Sequence, residues 1–118
     1  MIVNFVIMNN KKIKILDIGH SNLTLETAMN ALETTVSQDM YEGKVRAVKV
    51  ITGHGTGQLR KAVRNWCKEQ KGRFLCVIYG EHYNLFNRDA SDMRFECDIS
   101  NDPDYGRNNK GITYIWLH

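Results

Sequence analysis

The sequence predicts an α/β (α+β) fold in the order β-α-β-α-β-(β-β)-β, with two helices packed on a partly parallel sheet. Two observations carry it. Apolar residues switch twice from a strand-like run to helical spacing across a short polar turn, the pattern of βα units. Each helical stretch then meets a glycine, Gly43 and Gly72, where a helix usually stops. β-α-β units imply right-handed crossovers, which make the joined strands parallel.

The elements follow in order. The apolar run at 1–8 is too short to span a membrane and lacks the basic start of a signal peptide, so residues 1–11 read as a tail or an extra strand. Lys12 to Ile18 alternates and then turns apolar, as a partly buried strand does. After a turn at Gly19 to Asn22, Asn22 or Thr24 caps a helix with Glu26 in its first turn. Leu25, Ala28, Met29, Leu32, Val36 and Met40 give that helix its apolar face. Val45 to Ile51 is the second strand. Leu59, Ala62, Val63, Trp66 and Cys67 stripe the second helix, leaving Arg60, Lys61, Arg64 and Lys68 largely off the stripe and exposed. Phe74 to Tyr79 is a strand, His82 to Phe86 and Arg94 to Ile99 read as two more, and Ile112 to Leu117 is the last. Trp66 and Trp116 lie on core faces, whereas Tyr79, Tyr83 and Tyr105 are free to include a residue that stacks on an unpaired base.

At 118 residues the chain is sized for one domain, 1–118, with one core. The net charge of +3 is small but segregated. Residues 44–73 carry nine Lys and Arg against the single acid Glu69, while 89–104 are acidic, taken here as solvated loop and hairpin. The basic middle suggests that part of the fold presents a surface to a polyanion. The three cysteines, Cys67, Cys76 and Cys97, form no C-x-x-C pair and read as buried thiols in a reducing compartment. No targeting segment is visible, which points to the cytoplasm.

The strongest local signal is Thr52-Gly53-His54-Gly55-Thr56-Gly57, between the second strand and the basic second helix. Alternate glycines let the backbone turn tightly and approach a ligand. The helix that follows aims unpaired N–H groups at an anion. Neither a P-loop nor a G-x-G-x-x-G fingerprint is met. Thr52 and Thr56 add hydroxyl donors. Arg60, Lys61 and Arg64 are placed to grip flanking phosphates. His54 is either a donor to a phosphate oxygen and acid for a leaving oxygen, or an exposed loop side chain. Asp17, at the end of the first strand, is a general base, a metal ligand or a cap for a backbone N–H. His20 is an acid–base group or a polar surface residue. Ligands sit at the carboxyl ends of strands in such sheets, so if the two strands are neighbours, Asp17 and the glycine loop share one rim.

These residues resemble the Smr (small MutS-related) domain. Leu16-Asp17-Ile18-Gly19-His20 is similar to its L-D-x-H motif, Leu23-Thr24-Leu25-Glu26 to its L-T helix start, and Val48 to Arg64 to its T-G-x-G loop running into L-R-x-x-V. The likeness covers Lys12 to Gln70, and the last strand loosely. It implies a β-α-β-α-β-β two-layer sandwich similar to the C-terminal domain of translation initiation factor three. It also implies nucleic-acid binding and, in many members, endonuclease or nicking activity, including cleavage of RNA on stalled ribosomes. Asp17, Thr52, Gly53 and Gly55 carry over directly. Two residues, Ile18 and Gly19, separate Asp17 from His20 where the family has one. Residues 80–110 form an insertion, read as a β-hairpin or loop before the last strand, suited to covering the site, widening the contact surface or pairing two chains.

The expectation is therefore an endonuclease acting on RNA ahead of DNA, with Asp17, His20 and His54 catalytic. Thr52, Gly53, Gly55, Gly57, Arg60, Lys61 and Arg64 would bind the nucleic acid. The alternatives are a non-catalytic nucleic-acid or ribosome-binding module and a protein-interaction domain. With RNA the 2′-hydroxyl attacks and no cofactor is needed; with DNA water attacks, and a divalent metal on Asp17 fits the chemistry. The chain would be a monomer or weak dimer with no membrane partner.

Overall fold

The computed structural model describes residues 6–10 and 12–118. Five strands form one mixed sheet: β1 (Val6–Asn10), β2 (Ile13–Asp17), β3 (Ala47–Ile51), β4 (Cys76–Tyr79) and β5 (Ile112–Trp116), in the spatial order β1-β2-β3-β5-β4. Among the described residues only β2 and β3 run parallel, and the crossover between them is α1 (Leu25–Glu42). α2 (Gln58–Glu69) joins β3 to β4, and α3 (Arg88–Glu96) lies between β4 and β5. The N-terminal segment thus supplies an extra strand at 6–10, paired antiparallel to β2, while residues 1–5 and 11 lie outside the described residues.

The caps explain the helix boundaries. The Thr24 hydroxyl accepts from the Thr27 N–H at 3.1 Å, and Gly43, at φ 72°, closes α1 through the Asp39 carbonyl. α1 and α2 cover one face of the sheet, where Leu16, Val48, Val50 and Ile115 meet Leu32, Val36 and Val63. On this face Lys14 of β2 reaches the buried Asp39 of α1 at 2.7 Å.

Residues 80–110, expected to be a β-hairpin or loop, carry a 3-10 turn and a helix instead. His82 ends a 3-10 turn begun at Gly80, and Arg94 belongs to α3. The apparent alternation of Phe95, Cys97 and Ile99 imitated a strand, but Phe95 is exposed while Cys97 and Ile99 are buried. The working period is helical. Ala90, Met93 and Cys97 face the sheet, and the Asn87 side chain caps the helix by accepting from the Ala90 N–H. Nor does this segment cover the glycine loop: it packs on the opposite face of the sheet, as a third layer, against Ile13, Ile78, Ile112, Tyr114 and Trp116.

The acidic stretch is not simply solvated either. Lys49, only 5% exposed on β3, is neutralised by Asp102 at 2.8 Å and by Asp104, and Asp102 also accepts from the Tyr114 hydroxyl at 2.7 Å. Arg46 pairs with Glu96 at 2.9 Å. The opposite charges of the two sequence segments therefore partly cancel inside the fold. Cys67 and Cys97 are buried free thiols, which burial pushes up to about 12 and about 11, while Cys76 is half-buried.

Arg64 was expected on the surface and is instead a structural arginine. It meets Glu81 through two 2.8 Å hydrogen bonds, donates to the Thr113 hydroxyl at 3.2 Å and to the Ile112 carbonyl at 3.2 Å, and lies 4.0 Å over the Tyr79 ring. Its planar fork satisfies several acceptors at once, as a lysine could not. Burial disfavours the charge on Glu81, but the hydrogen bonds and charge of Arg64 outweigh it and hold the carboxyl below its usual range. A lowered folded-state value means that the pair stabilises the fold above the unfolded carboxyl's ordinary range and loses that contribution as pH falls through the folded value. Glu81→Gln should therefore lower stability at neutral pH by about 1–3 kcal/mol. The gap from wild type should close as pH falls through the folded-state value, as thermal melts across pH will show.

Candidate active site

The rim forms because β2 and β3 are parallel neighbours in register, with Asp17 opposite Ile51. Their carboxyl ends emerge side by side. The ladder continues one residue further, through Ile18 N–H to the Ile51 carbonyl at 3.0 Å. Gly19 then lies flat against the next peptide. A Cβ there would stand 2.3 Å from the Thr52 carbonyl carbon and oxygen, so only glycine lets the two segments touch.

This turn settles the spacing of Asp17 and His20. Asp17 Oδ1 accepts from the N–H groups of Gly19 at 3.0 Å and His20 at 3.2 Å, curling the chain back. The His20 Nδ1 comes within 2.9 Å of Asp17 Oδ2. The residue that intervenes beyond the family pattern is absorbed: Ile18 is buried in the sheet's core and Gly19 in the contact with Thr52. An ionised carboxylate only accepts, so Nδ1 is the donor and Nε2 carries the lone pair. Nε2 faces the loop, 3.5 Å from where a Cβ on Gly53 would be. Asp17 thus caps the turn, one of the roles its position allowed, and also holds the His20 ring.

In the loop, Gly53, Gly55 and Gly57 have φ of 71°, 36° and 84°, the left-handed region that other residues enter at a cost. Thr52 was expected to offer its hydroxyl to a ligand. It is buried instead, and that hydroxyl donates to the Gly111 carbonyl at 3.2 Å. The Thr52 and Gly53 N–H groups bond to the same carbonyl, at 2.8 and 3.3 Å. These two residues hold the loop rather than serve it. Among the described residues, the N–H groups of His54, Gly55, Thr56, Leu59 and Arg60 have no such partner. α2 has Gly57 at its N-cap and no side-chain cap, whereas Thr24 and Asn87 cap the other two helices.

His54 is exposed on the loop, and Arg60 folds back so that its guanidinium would meet a Cβ on Gly57 at 2.8 Å. Lys61 is exposed beside it. A cavity of about 210 Å³ lies between the two motifs, lined by Gly19 and Leu23 on one side and by Gly53 to Arg60 on the other. The structure therefore gathers Asp17, His20, Gly53, His54, Gly55, Gly57, Arg60 and Lys61 on one rim and withdraws Arg64 and the Thr52 hydroxyl from it. Tyr83 is fully buried and unable to stack on a base. Among the described residues no three His, Cys, Asp or Glu side chains cluster closely enough to hold a metal ion, and no helix is long and apolar enough to cross a membrane.

An acid–histidine pair beside a glycine loop with uncommitted N–H groups, on one rim of a βαβ unit, marks a class of α/β domain that gathers its polar residues at the strand ends. The Smr domain family matches residues 20–78, half of the chain, and the chain belongs to that family. Smr domains generally bind nucleic acid, and some members nick it. The match ends at Ile78, within β4. The fold is similar to the crystal structure of the Smr domain of Thermus thermophilus MutS2, with a TM-score of 0.55 and 20% identity, covering 91% of this chain and 98% of that one. A search among curated proteins gave no significant match.

Proposed function

We propose that residues 1–118 act as one Smr unit that binds RNA and cuts it by transesterification. The observation that carries this reading is the Asp17–His20 contact, which leaves the imidazole Nε2 facing the glycine loop. A phosphate accepts hydrogen bonds from the N–H groups of His54, Gly55 and Thr56 and from the open end of α2. His20 Nε2 takes the proton of the 2′-hydroxyl. The 2′-oxygen attacks phosphorus, a new P–O bond forms, and the bond to the 5′-oxygen breaks. His54 gives a proton to that leaving oxygen, and Arg60 stabilises the charge on the phosphoryl oxygens. The products are a 2′,3′-cyclic phosphate and a 5′-hydroxyl. Asp17 steadies the imidazolium that forms on His20.

Labelled RNA and DNA incubated with the protein, with and without EDTA, test this. Cutting of RNA but not DNA, insensitive to EDTA and ending in a cyclic phosphate, is the expected result. Binding with no cutting of any substrate would reduce the chain to a binding module. DNA cut only without EDTA would move the chemistry to water and a metal at Asp17. Arg60→Glu with Lys61→Glu should weaken RNA binding at least tenfold and flatten its salt dependence by about two phosphate contacts, measured by anisotropy titrations across salt.

A further inference from the structure

A groove leads away from the glycine loop along the outer flank of α2. The cavity between the motifs shares Gly57 and Arg60 with an open trough of about 770 Å³, lined further on by Lys61, Lys68 and Tyr79. That trough shares Lys68 and Tyr79 with a depression of about 420 Å³ that reaches Lys71 and His82. A last depression, sharing His82, ends at Phe86 and Arg88. The chain has 13 Asp and Glu residues, yet none lines any of the four, while five Lys and Arg besides Arg64 do. Flat groups stand along the way. The Arg64 guanidinium lies 4.0 Å over Tyr79, whose ring stacks with His82 at 6.0 Å and 23°.

The far end is unusual in its chemistry. Asn84 to Asn87 form a turn closed by the Asn87 N–H on the Asn84 carbonyl at 3.1 Å. Its two central residues are Leu85 and Phe86, 70% and 89% exposed, where turns ordinarily carry glycine, proline, asparagine or aspartate. The turn is braced. The Phe86 N–H donates to Asn84 Oδ1 at 2.9 Å, and the Asn87 amide donates to the His82 carbonyl at 3.0 Å. A large aromatic is thus held out in water at the end of an acid-free, cationic path.

We infer that this groove carries an unpaired strand of nucleic acid away from the glycine loop, with Lys61, Lys68 and Lys71 on its phosphates and a base stacked on Phe86. The inference rests on the proposed function and narrows it to single-stranded substrates. A duplex keeps its base faces stacked inside, so Phe86 has nothing to offer it, whereas every unpaired base presents a flat face. A protein partner fits less well, because the exposed apolar area at the tip is two side chains and the path to it is cationic throughout.

The test is anisotropy of labelled, unstructured RNA of about four and about twelve nucleotides, and of a blunt duplex of the longer one, against the full chain. Wild type is expected to bind the longer strand more tightly than the shorter, and more tightly than the duplex. Phe86→Ala should weaken the longer strand roughly tenfold, within the range of one lost base stack, and leave the shorter unchanged. Lys68→Glu with Lys71→Glu should do the same with a shallower salt dependence. Phe95→Ala removes an equally exposed aromatic outside the groove and should change nothing. Wild-type affinity in Phe86→Ala and in the lysine pair, while Arg60→Glu with Lys61→Glu still weakens both strands, would overturn this inference and leave the RNA reading standing. A duplex bound as tightly as the strand would also overturn it, as would a Phe86→Ala variant that alters only self-association in sedimentation. Failure of the wild type to bind any nucleic acid would sink both.

Discussion

His20→Ala should slow phosphodiester cleavage by about 10²–10⁴-fold while leaving RNA affinity nearly unchanged. The ring is exposed, so its loss costs the fold little, and it holds no phosphate in the proposed geometry. Asp17→Asn is the more telling variant. An asparagine amide is able to donate to Nδ1, which puts the proton on Nε2 and removes the base without removing the ring. Its rate should fall about as far as that of His20→Ala, and the double variant should be no slower than either single one, because the pair acts as a unit. Rates multiplying in the double variant would show the two residues acting independently. His54→Ala should cost less, and chiefly with poor leaving groups, since its proton matters at bond breaking. Single-turnover rates on one defined RNA, with folding followed by circular dichroism, separate these outcomes.

Asp102→Ala should destabilise the fold by about 3–5 kcal/mol, a large part of what a domain of this size has. The side chains of both Lys49 and Asp102 are about 6% exposed, and Asp102 also holds the Tyr114 hydroxyl. Removing the carboxylate leaves a buried ammonium with Asp104 alone and a buried phenol without its acceptor. Lys49→Met combined with Asp102→Leu should recover most of the loss, because no unpaired charge remains. Urea unfolding of the three variants measures this. A loss below about 1 kcal/mol for Asp102→Ala would mean that water reaches Lys49.

The two predictions differ in how much of them the sequence showed. The shared rim was legible, because Asp17 and the glycine loop each end an apolar run and the βαβ rule makes those runs parallel neighbours. The pairing of Asp17 with His20 was not. Spacing along a chain reports distance only within regular structure, and here Ile18 still belongs to the sheet while Gly19 lies flat on Thr52. The withdrawal of Arg64 was hidden for a different reason: its partner Glu81 lies 17 residues on, in a short 3-10 turn beyond β4 that no periodicity announces. Lys49 reads as a surface alternation in β3 until its counter-ions, more than fifty residues away, are known. One signal for the third layer was present. Ile112 to Leu117 has scarcely any polar alternation and is buried throughout, which is what a strand covered on both faces requires.

The glycine loop hangs from the Gly111 carbonyl, and Gly111 leads into β5, the strand that sits between β3 and β4 although it is last of the five in chain order. During synthesis, β3 and β4 are made long before the strand that joins them. Residues 52–57 likewise leave the ribosome well ahead of the Gly111 carbonyl that anchors them. Nascent chains add roughly 5–20 residues per second, so for several seconds the loop exists without its support. Until β5 has been made the rim lacks that support, and it takes its final shape only when the central strand zips into place.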